Sequence, residues 1–237
     1  MRINCLVEEL HGTETECVLS EQASHHLARV LRVQAGDALT LFNGKGKLAI
    51  AEVVLPSKKE LVVKVLEYKE LPKPDTNITL YQALPKPDRW EWVLQKAVEL
   101  GVYAIQPMVT AHTESVISPK KERRWQQIIQ HAAEQSQAYW MPSLLPAKNI
   151  EEIYAQVASH DLACIGSLYG EPKNLKEIYF SDSKDVGLFI GPEGDFTAAE
   201  VARVVEAGAF PVSFGRQVLR TETAAIFGLS ILKHELG

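Results

Sequence analysis

Two short apolar runs near the end of the chain empty directly into glycine-bearing polar loops, and this arrangement most constrains what the chain can fold into. Val186-Gly187-Leu188-Phe189-Ile190 leads into Gly191-Pro192-Glu193-Gly194-Asp195, which reads as a core strand passing into a loop with special backbone angles. Thr197 and Glu200 then stand at capping-box spacing, with Phe196 placed to staple onto Val201. Val201, Val204 and Val205 supply the apolar face of the resulting helix, and Gly208 ends it. A second strand, Phe210 to Phe214, runs into Gly215 and the polar turn Arg216 to Thr223. From Ala224 to Leu232 the chain is almost wholly apolar, so that helix must be buried in its own domain or against a second subunit.

Either loop alone fits an ordinary strand-to-helix turn. Together they set Glu193, Asp195, Arg220, Thr221, Glu222 and Thr223 beside apolar runs, and polar groups next to a core require partners. Glycine leaves the backbone open to close approach, so two such loops at adjacent strand ends mark a pocket.

Upstream of these loops the chain divides. Residues up to about Leu71 are β-rich: Asp37 to Phe42, Lys47 to Val54 and Leu61 to Leu66 are β-branched or alternating runs, separated by Asn43-Gly44-Lys45-Gly46 and Pro56-Ser57-Lys58-Lys59. They suggest a small meander or barrel. A helix over Ser20 to Val33 precedes them, with Ser20 as cap and Leu27, Val30 and Leu31 on one face. His25 and His26 on it carry no assigned chemistry. Arg29 and Arg32, three residues apart, share a face and either grip phosphates or are solvated. Leu71-Pro72-Lys73-Pro74-Asp75-Thr76-Asn77 is the linker, because two prolines so close discourage both helix and central strand.

From Ile78 the pattern is strand, helix, strand, helix. Strands are expected over Ile78 to Leu84, Ala104 to Val109 and Leu162 to Ile165; helices over Asp88 to Leu100, Arg123 to Ala138 and Ile150 to Ser159. Asp88 and Glu91 stand at capping spacing. Such alternation indicates an α/β domain with a mostly parallel sheet and its ligands at the carboxyl ends of the strands. Gly166, Gly191 and Gly215 then fall at three such ends, within reach of one ligand. No Gly-x-Gly-x-x-Gly follows the first strand and no Gly-Lys-Ser/Thr loop occurs, which disfavours a Rossmann dinucleotide enzyme and a nucleotide triphosphatase.

At 237 residues and 46% hydrophobic the chain has material for two small domains. A net charge of −5 argues against coating nucleic acid by bulk electrostatics, so an RNA partner needs a local basic patch. Two are available: Arg29, Arg32, Lys45 and Lys47, and Lys120, Lys121, Arg123 and Arg124. Three cysteines without ligand spacing suggest reduced thiols, with neither a disulfide framework nor a metal site. No apolar run suffices to span a bilayer and Met1-Arg2-Ile3-Asn4-Cys5 lacks a signal pattern, so no membrane partner and a cytoplasmic location are expected.

The loops "IGPEGD" and "FGRQVLRTETAA" resemble the cofactor-binding loops of the SPOUT superfamily, and within it those of the RsmE-type enzymes, which methylate N3 of a uridine in 16S ribosomal RNA. "HHLARVLRVQAGD" followed by "FNGKG" resembles the small PUA-like RNA-binding domain that precedes their methyltransferase domain. The resemblance implies a PUA-like β-barrel domain over residues 1–72 and, over 73–237, an α/β methyltransferase domain with a C-terminal trefoil knot, a feature too rare to propose from pattern. It implies a homodimer with the site at its interface, and 16S rRNA or the small ribosomal subunit as partner. S-adenosylmethionine would be held by Ile165, Gly166 and Ser167; by Ile190, Gly191, Pro192, Glu193 and Gly194; and by Phe214, Gly215, Val218, Leu219, Arg220, Thr223 and Ala224.

By the same resemblance, Arg220 would stabilise the charge left on the uracil ring and Glu222 would act as base or orient it. The residues themselves equally allow a buried ion pair that fixes the turn. Arg29, Arg32, Lys45, Lys47, Arg89 and Arg124 are the candidate RNA contacts. One departure stands out: family members commonly read Glu-Gln-(Ser/Cys)-Gly-Arg, whereas here Glu134-Gln135-Ser136 is followed by Gln137-Ala138, so an expected arginine is absent. Two other readings remain: a SPOUT methyltransferase acting on transfer RNA or a ribose 2′-hydroxyl, and a non-catalytic ribosome-assembly protein.

Overall fold

The computed structural model describes residues 3–114, 117–169, 171–178 and 183–236. Met1, Arg2 and Gly237, which bound the expected domains, lie outside the described residues. The chain forms two compact units, residues 1–73 with 133–141, and residues 74–132 with 142–237.

The first unit contains β1 (Ile3–Leu6), β2 (Glu16–Val18), α1 (Glu21–His25), β3 (Ala38–Phe42), β4 (Lys47–Leu55) and β5 (Val62–Glu70), in one sheet ordered β1-β3-β4-β5-β2. The loop between β3 and β4 is the expected one: Asn43 Oδ1 accepts from the amides of Lys45 and Lys47, while Gly44 and Gly46 take φ of +71° and +84°. A Cβ at Gly46 would lie 2.5 Å from the Trp140 ring, so only glycine admits that ring. Sequence pattern missed β1 and β2 because strands of four and three residues are too short to display a period.

Ser20 caps α1, its hydroxyl accepting from Ala23 N at 3.3 Å, but the helix then widens into a π-helix over His26–Leu31. That widening rotates the later positions off the expected face. Leu27 is buried, whereas Val30 is 60% exposed and Leu31 is exposed too. Arg32 takes a left-handed φ of +56° beyond the helix end, so Arg29 and Arg32 are not a helical i, i+3 pair; Arg29 lies instead 3.3 Å from His25 Nε2.

Residues Ala133–Met141, which the sequence reading assigns to the C-terminal domain, cluster with this first unit. Leu6 N donates to Glu134 Oε1, Asn4 Nδ2 donates to Glu134 O, and Tyr139 packs edge-on against Phe42 at 5.5 Å. Gln137 has φ of +60°, and Ala138 N reaches back to Ala133 O at 3.0 Å, the Schellman closure that favours glycine at this position. The departure noted in the sequence therefore puts glutamine where glycine carries the least strain.

The second unit is an all-parallel sheet with helices. Its elements are β6 (Asn77–Ala83), α2 (Pro87–Glu99), β7 (Ala104–Val109), α3 (Pro119–Ser136, its last four residues in the first unit), β8 (Ser143–Leu144), β9 (Lys148–Asn149), α4 (Tyr154–Val157), β10 (Leu162–Gly166), β11 (Lys173–Asn174), β12 (Asp185–Ile190), α5 (Ala198–Glu206), β13 (Phe210–Ser213) and α6 (Thr221–Leu236). The order is β11-β13-β10-β12-β6-β7-β8, with β9 also on β7. One core cluster joins Tyr81, Met108, Ile165 and Phe189 on the strands to Ile153, Val157, Val201 and Val204 on the helices.

Thr197 and Glu200 form the expected capping box, and Gly208 ends α5 with φ of +113°. Val205 departs from expectation and is exposed, because it lies one step round the helix from Val204. α2 begins at Pro87 without a side-chain cap: proline presets the first helical φ, and Glu91 faces Arg124 instead. The helix expected over Ile150 to Ser159 shrinks to a 3₁₀ turn and the four-residue α4. α6 starts at Thr221 rather than Ala224 and buries Ala225, Gly228, Leu229 and Leu232, while Phe227 is 43% exposed. No helix among the described residues is long and apolar enough to cross a membrane.

Candidate functional site

Because β10, β12 and β13 run in parallel, their carboxyl ends lie together and bring three loops to one place. A cavity of about 280 Å³ opens there. Gly166 and Ser167 line it from the first loop; Ile190, Gly191, Pro192 and Glu193 from the second; Phe214, Gly215, Val218, Leu219, Arg220 and Ala224 from the third. These twelve residues, named from sequence as cofactor contacts, are brought together by the fold. Three others are not in that wall: Ile165 is fully buried in the core, Gly194 lines a neighbouring cavity, and Thr223 is exposed on α6.

The glycines act differently from the expectation that each opens the backbone to a ligand. A Cβ on Gly166 would lie 2.8 Å from Phe214 Cε2, and one on Gly191 would lie 2.9 Å from Asp195 Oδ1 and 3.1 Å from Phe196 N. These two glycines let the loops pack on one another. Gly215, at φ of +120°, would place a Cβ in open space, and it needs glycine for its backbone angle.

Hydrogen bonds complete the clamp. Asp195 adopts a left-handed φ of +61°; its carboxylate accepts from Phe196 N at 2.8 Å and from Leu168 N at 3.2 Å, which ties the second loop to the first. Buried Gln82 on β6 donates from Nε2 to Thr221 Oγ1 at 2.9 Å, and Thr221 donates in turn to Gly191 O, so β6, the second loop and the start of α6 are linked. Sequence reading overlooked Gln82: a lone polar residue inside an apolar strand gives no signal of what it faces. Leu168, Asp195, Gln217 and Thr221 also line the cavity, and their adjacency to the glycines was the available clue.

The charged groups separate into engaged and free. Arg89, read from sequence as an RNA contact, lines this cavity. Its Nη1 lies 3.4 Å from Glu193 Oε1 and its Nε lies 3.7 Å from Glu222 Oε1. Glu222 is buried, does not line the cavity, and its Oε2 has no partner among the described residues. Arg220 is exposed at the cavity wall, and its guanidinium has no hydrogen bond or ion pair among the described residues. The peptide groups of Val218 and Leu219 likewise make no hydrogen bond to another described residue.

The remaining candidates do not line this cavity. Arg124 makes a two-pronged pair with Glu91, at 2.5 and 3.0 Å, which raises the guanidinium's proton affinity further. Lys47 Nζ donates to His11 O, while Arg29 and Lys45 are surface residues of the first unit. Cys5, Cys17 and Cys164 are free, and burial pushes the Cys164 thiol up to about 12, leaving an inert core group. No cluster of three His, Cys, Asp or Glu able to hold a metal occurs among the described residues.

Comparison with known proteins points the same way as the site. Residues 72–233 match the family model for an RNA methyltransferase domain and residues 19–66 that for an RNA methyltransferase PUA domain. The chain is 32% identical over 225 residues to the ribosomal RNA small subunit methyltransferase E of Synechocystis, spanning 92% of this chain and 72% of that one. It is 29% identical to the protein of that name from Bacillus subtilis, spanning 96% and 93%. The Neisseria gonorrhoeae ribosomal RNA small subunit methyltransferase E, solved bound to S-adenosylmethionine, superposes with a TM-score of 0.92 at 31% identity over 99% of this chain and 98% of that one. A Legionella pneumophila methyltransferase in complex with the same cofactor gives 0.89 at 34%, over 98% and 96%.

Proposed function

Since the chain belongs to the ribosomal RNA small subunit methyltransferase E family, we propose that it transfers a methyl group from S-adenosylmethionine to N3 of a uridine in 16S ribosomal RNA. The observation that carries this reading is a cavity at three parallel strand ends, its loops packed together at glycines and its wall including peptide groups without partners among the described residues. The cavity suits the cofactor: Ile190, Val218 and Leu219 offer apolar surface to an adenine, and the peptides of Val218 and Leu219 have hydrogen-bonding capacity to spare. Glu193 adds a carboxylate for a cationic group.

When bound, S-adenosylmethionine supplies an electrophilic methyl group on a positively charged sulfur. The protein's task is to align the uracil nitrogen with that methyl and to accommodate the negative charge that appears when the imide proton leaves. Arg220 is free to fork onto the uracil oxygens, and a permanent cation waiting at the cavity wall requires no reorganisation when that charge develops. Glu222 is better suited to holding Arg89 than to taking a proton, since its Oε1 already faces that guanidinium. Arg89 and Glu222 are thus positioning residues.

The same reading includes a homodimer and the trefoil threading of the C-terminal segment. Val218, Leu168, Tyr169 and Phe227 are all exposed, supporting a partner that covers apolar surface near the site loops. The threading is compatible with β13 lying between β10 and β11 while α6 returns to pack on β12 and β6. Arg29, Arg32, Lys45 and Lys47 on the first unit are the proposed RNA contacts, and the cell compartment proposed is the cytoplasm.

The test is methyl transfer from labelled S-adenosylmethionine to small ribosomal subunits lacking the modification, with naked 16S RNA and transfer RNA alongside, followed by nucleoside mass spectrometry. Label as 3-methyluridine in the small-subunit RNA is the expected result. Label in a different nucleoside would overturn the uridine assignment, and no label with measurable cofactor binding would favour an assembly role.

A further inference from the structure

A second cavity, of about 510 Å³, adjoins the first, and Glu193 lines both. Lys86, His112, Thr113 and Gly194 are among its other lining residues. His112 follows β7, and its Nδ1 lies 2.9 Å from the carbonyl oxygen of Asp195, itself a residue of the first cavity's wall. A carbonyl only accepts, so Nδ1 carries the hydrogen and the neutral ring keeps its lone pair on Nε2. Nε2 has no hydrogen bond among the described residues. Gly194 makes room for the ring: a Cβ there would lie 3.2 Å from His112 Cβ and Cγ.

We propose that His112 is the base that takes the N3 proton of the target uracil, which enters through this second cavity; the assignment rests on the methyl-transfer reading above. Nε2 accepts the proton from N3, and the electron pair of that N–H bond forms the new bond to the methyl carbon. The methyl's bond to sulfur breaks at the same time, and the sulfur leaves as a neutral thioether. Arg220 balances the charge on the ring oxygens. Imidazole is a stronger base than a carboxylate and is matched to neutral pH.

The charged groups around His112 are already committed, apart from two. Asp195 accepts from Phe196 N and Leu168 N; Glu200 of α5 accepts from Ala111 N at 2.8 Å; Glu193 accepts from Lys86 N at 3.0 Å and pairs with Arg89. Lys86 and Glu114 are exposed, with side chains unpaired among the described residues, and they bring opposite charges to the cavity rim.

The test uses the full-length chain and His112→Asn, whose amide retains a donor toward the Asp195 carbonyl but has no second ring nitrogen. In the wild-type protein without cofactor or RNA, ¹⁵N-edited NMR is expected to find His112 protonated at Nδ1, the signal being assigned by its loss in the variant. Calorimetry is expected to give both proteins the same affinity for S-adenosylmethionine within about twofold. In single-turnover transfer to subunits lacking the modification, the variant should be slower by about 10²-fold at neutral pH. It should then gain about tenfold per pH unit as the imide begins to ionise unaided, and so approach the wild-type rate in alkali. An Nε2-protonated ring, a variant with the wild-type profile, or a loss that alkali does not restore would each overturn the proposal while leaving the methyl-transfer reading intact. Wild-type protein that methylates no RNA would overturn that reading and this assignment with it.

Discussion

The two ends of the parallel sheet in the second unit are built on opposite principles. At the amino end of β12, His160 is closed in on every polar side: Tyr81 Oη lies 2.8 Å from its Nε2, Asp185 pairs with its Nδ1, and Asp161 accepts from the amides of Lys184 and Asp185. Gly187 lies against the ring, where a Cβ would come within 2.8 Å of Cδ2. At the carboxyl end, glycines play the same steric part, but the polar groups do not answer one another. Arg220, Nε2 of His112, Glu222 Oε2 and the peptides of Val218 and Leu219 all lack partners among the described residues. The His160 network is thus satisfied within the protein, though Asn77 Oδ1 at the same end has no partner among the described residues, whereas the groups at the carboxyl end are left open to a ligand. Of these groups Glu222 Oε2 is buried, so its missing partner costs stability, while exposed Arg220, His112 and Val218 stay open to solvent or a ligand.

The sharpest way to break this contrast is Arg220→Ala. The expected outcome is a loss of about 10²–10³ in the methyl-transfer rate, comparable to deleting a charge-stabilising donor, with cofactor affinity and melting temperature near wild type. Steady-state transfer, calorimetry and thermal melting measure the three quantities, and an unchanged rate would remove Arg220 from the chemistry. His160→Ala should do the reverse. Removing the ring leaves Asp185 without its partner, Tyr81 with only Gln156 Oε1 at 3.4 Å, and a void beside Gly187, for an expected cost of about 2–3 kcal/mol in denaturant unfolding. Its transfer rate in the folded protein should not change, and a fall of more than a few-fold would mean that the two ends are coupled.

Gly191→Ala tests whether the carboxyl-end glycine is structural or merely permissive. The added methyl meets backbone Phe196 N at 3.1 Å as well as the Asp195 carboxylate, so the second loop must move. Cofactor affinity is expected to fall about tenfold, near 1.4 kcal/mol, by calorimetry. The smallest effect belongs to Tyr81. Burial, aided by the charge of Asp185, pushes its phenol up to about 12. A folded-state value raised above the unfolded one contributes stability that is complete below about 10 and is lost as pH climbs toward 12. Wild-type stability should therefore decline over that window, and Tyr81→Phe, costing about 1 kcal/mol at neutral pH, should flatten the decline in pH-dependent unfolding.

Much of the carboxyl-end site was legible in the sequence because it is local. Strand, glycine and polar turn are contiguous, so fifteen cofactor candidates could be named from two loops and the end of β10, and twelve of them line one cavity. The amino-end network was not legible, because Tyr81, His160 and Asp185 are separated by 79 and 25 positions along the chain. The same limit hid Gln82, which meets Thr221 at 139 residues' separation, and the pairing of Arg89 with Glu193 and Glu222.

By itself the sequence determined the β-rich first region, the strand–helix alternation after the linker, the capping box at Thr197 and the glycine-terminated strands, since each is a choice made by neighbouring residues. Only the tertiary structure decided that Gly166 and Gly191 make way for Phe214 and Asp195, that the helix after Ser20 widens and turns Val30 outward, and that His112 lines a cavity with Nδ1 against the Asp195 carbonyl. Those outcomes depend on which distant atoms compete for the same space or the same hydrogen bond, a competition that arises only once the chain has closed on itself.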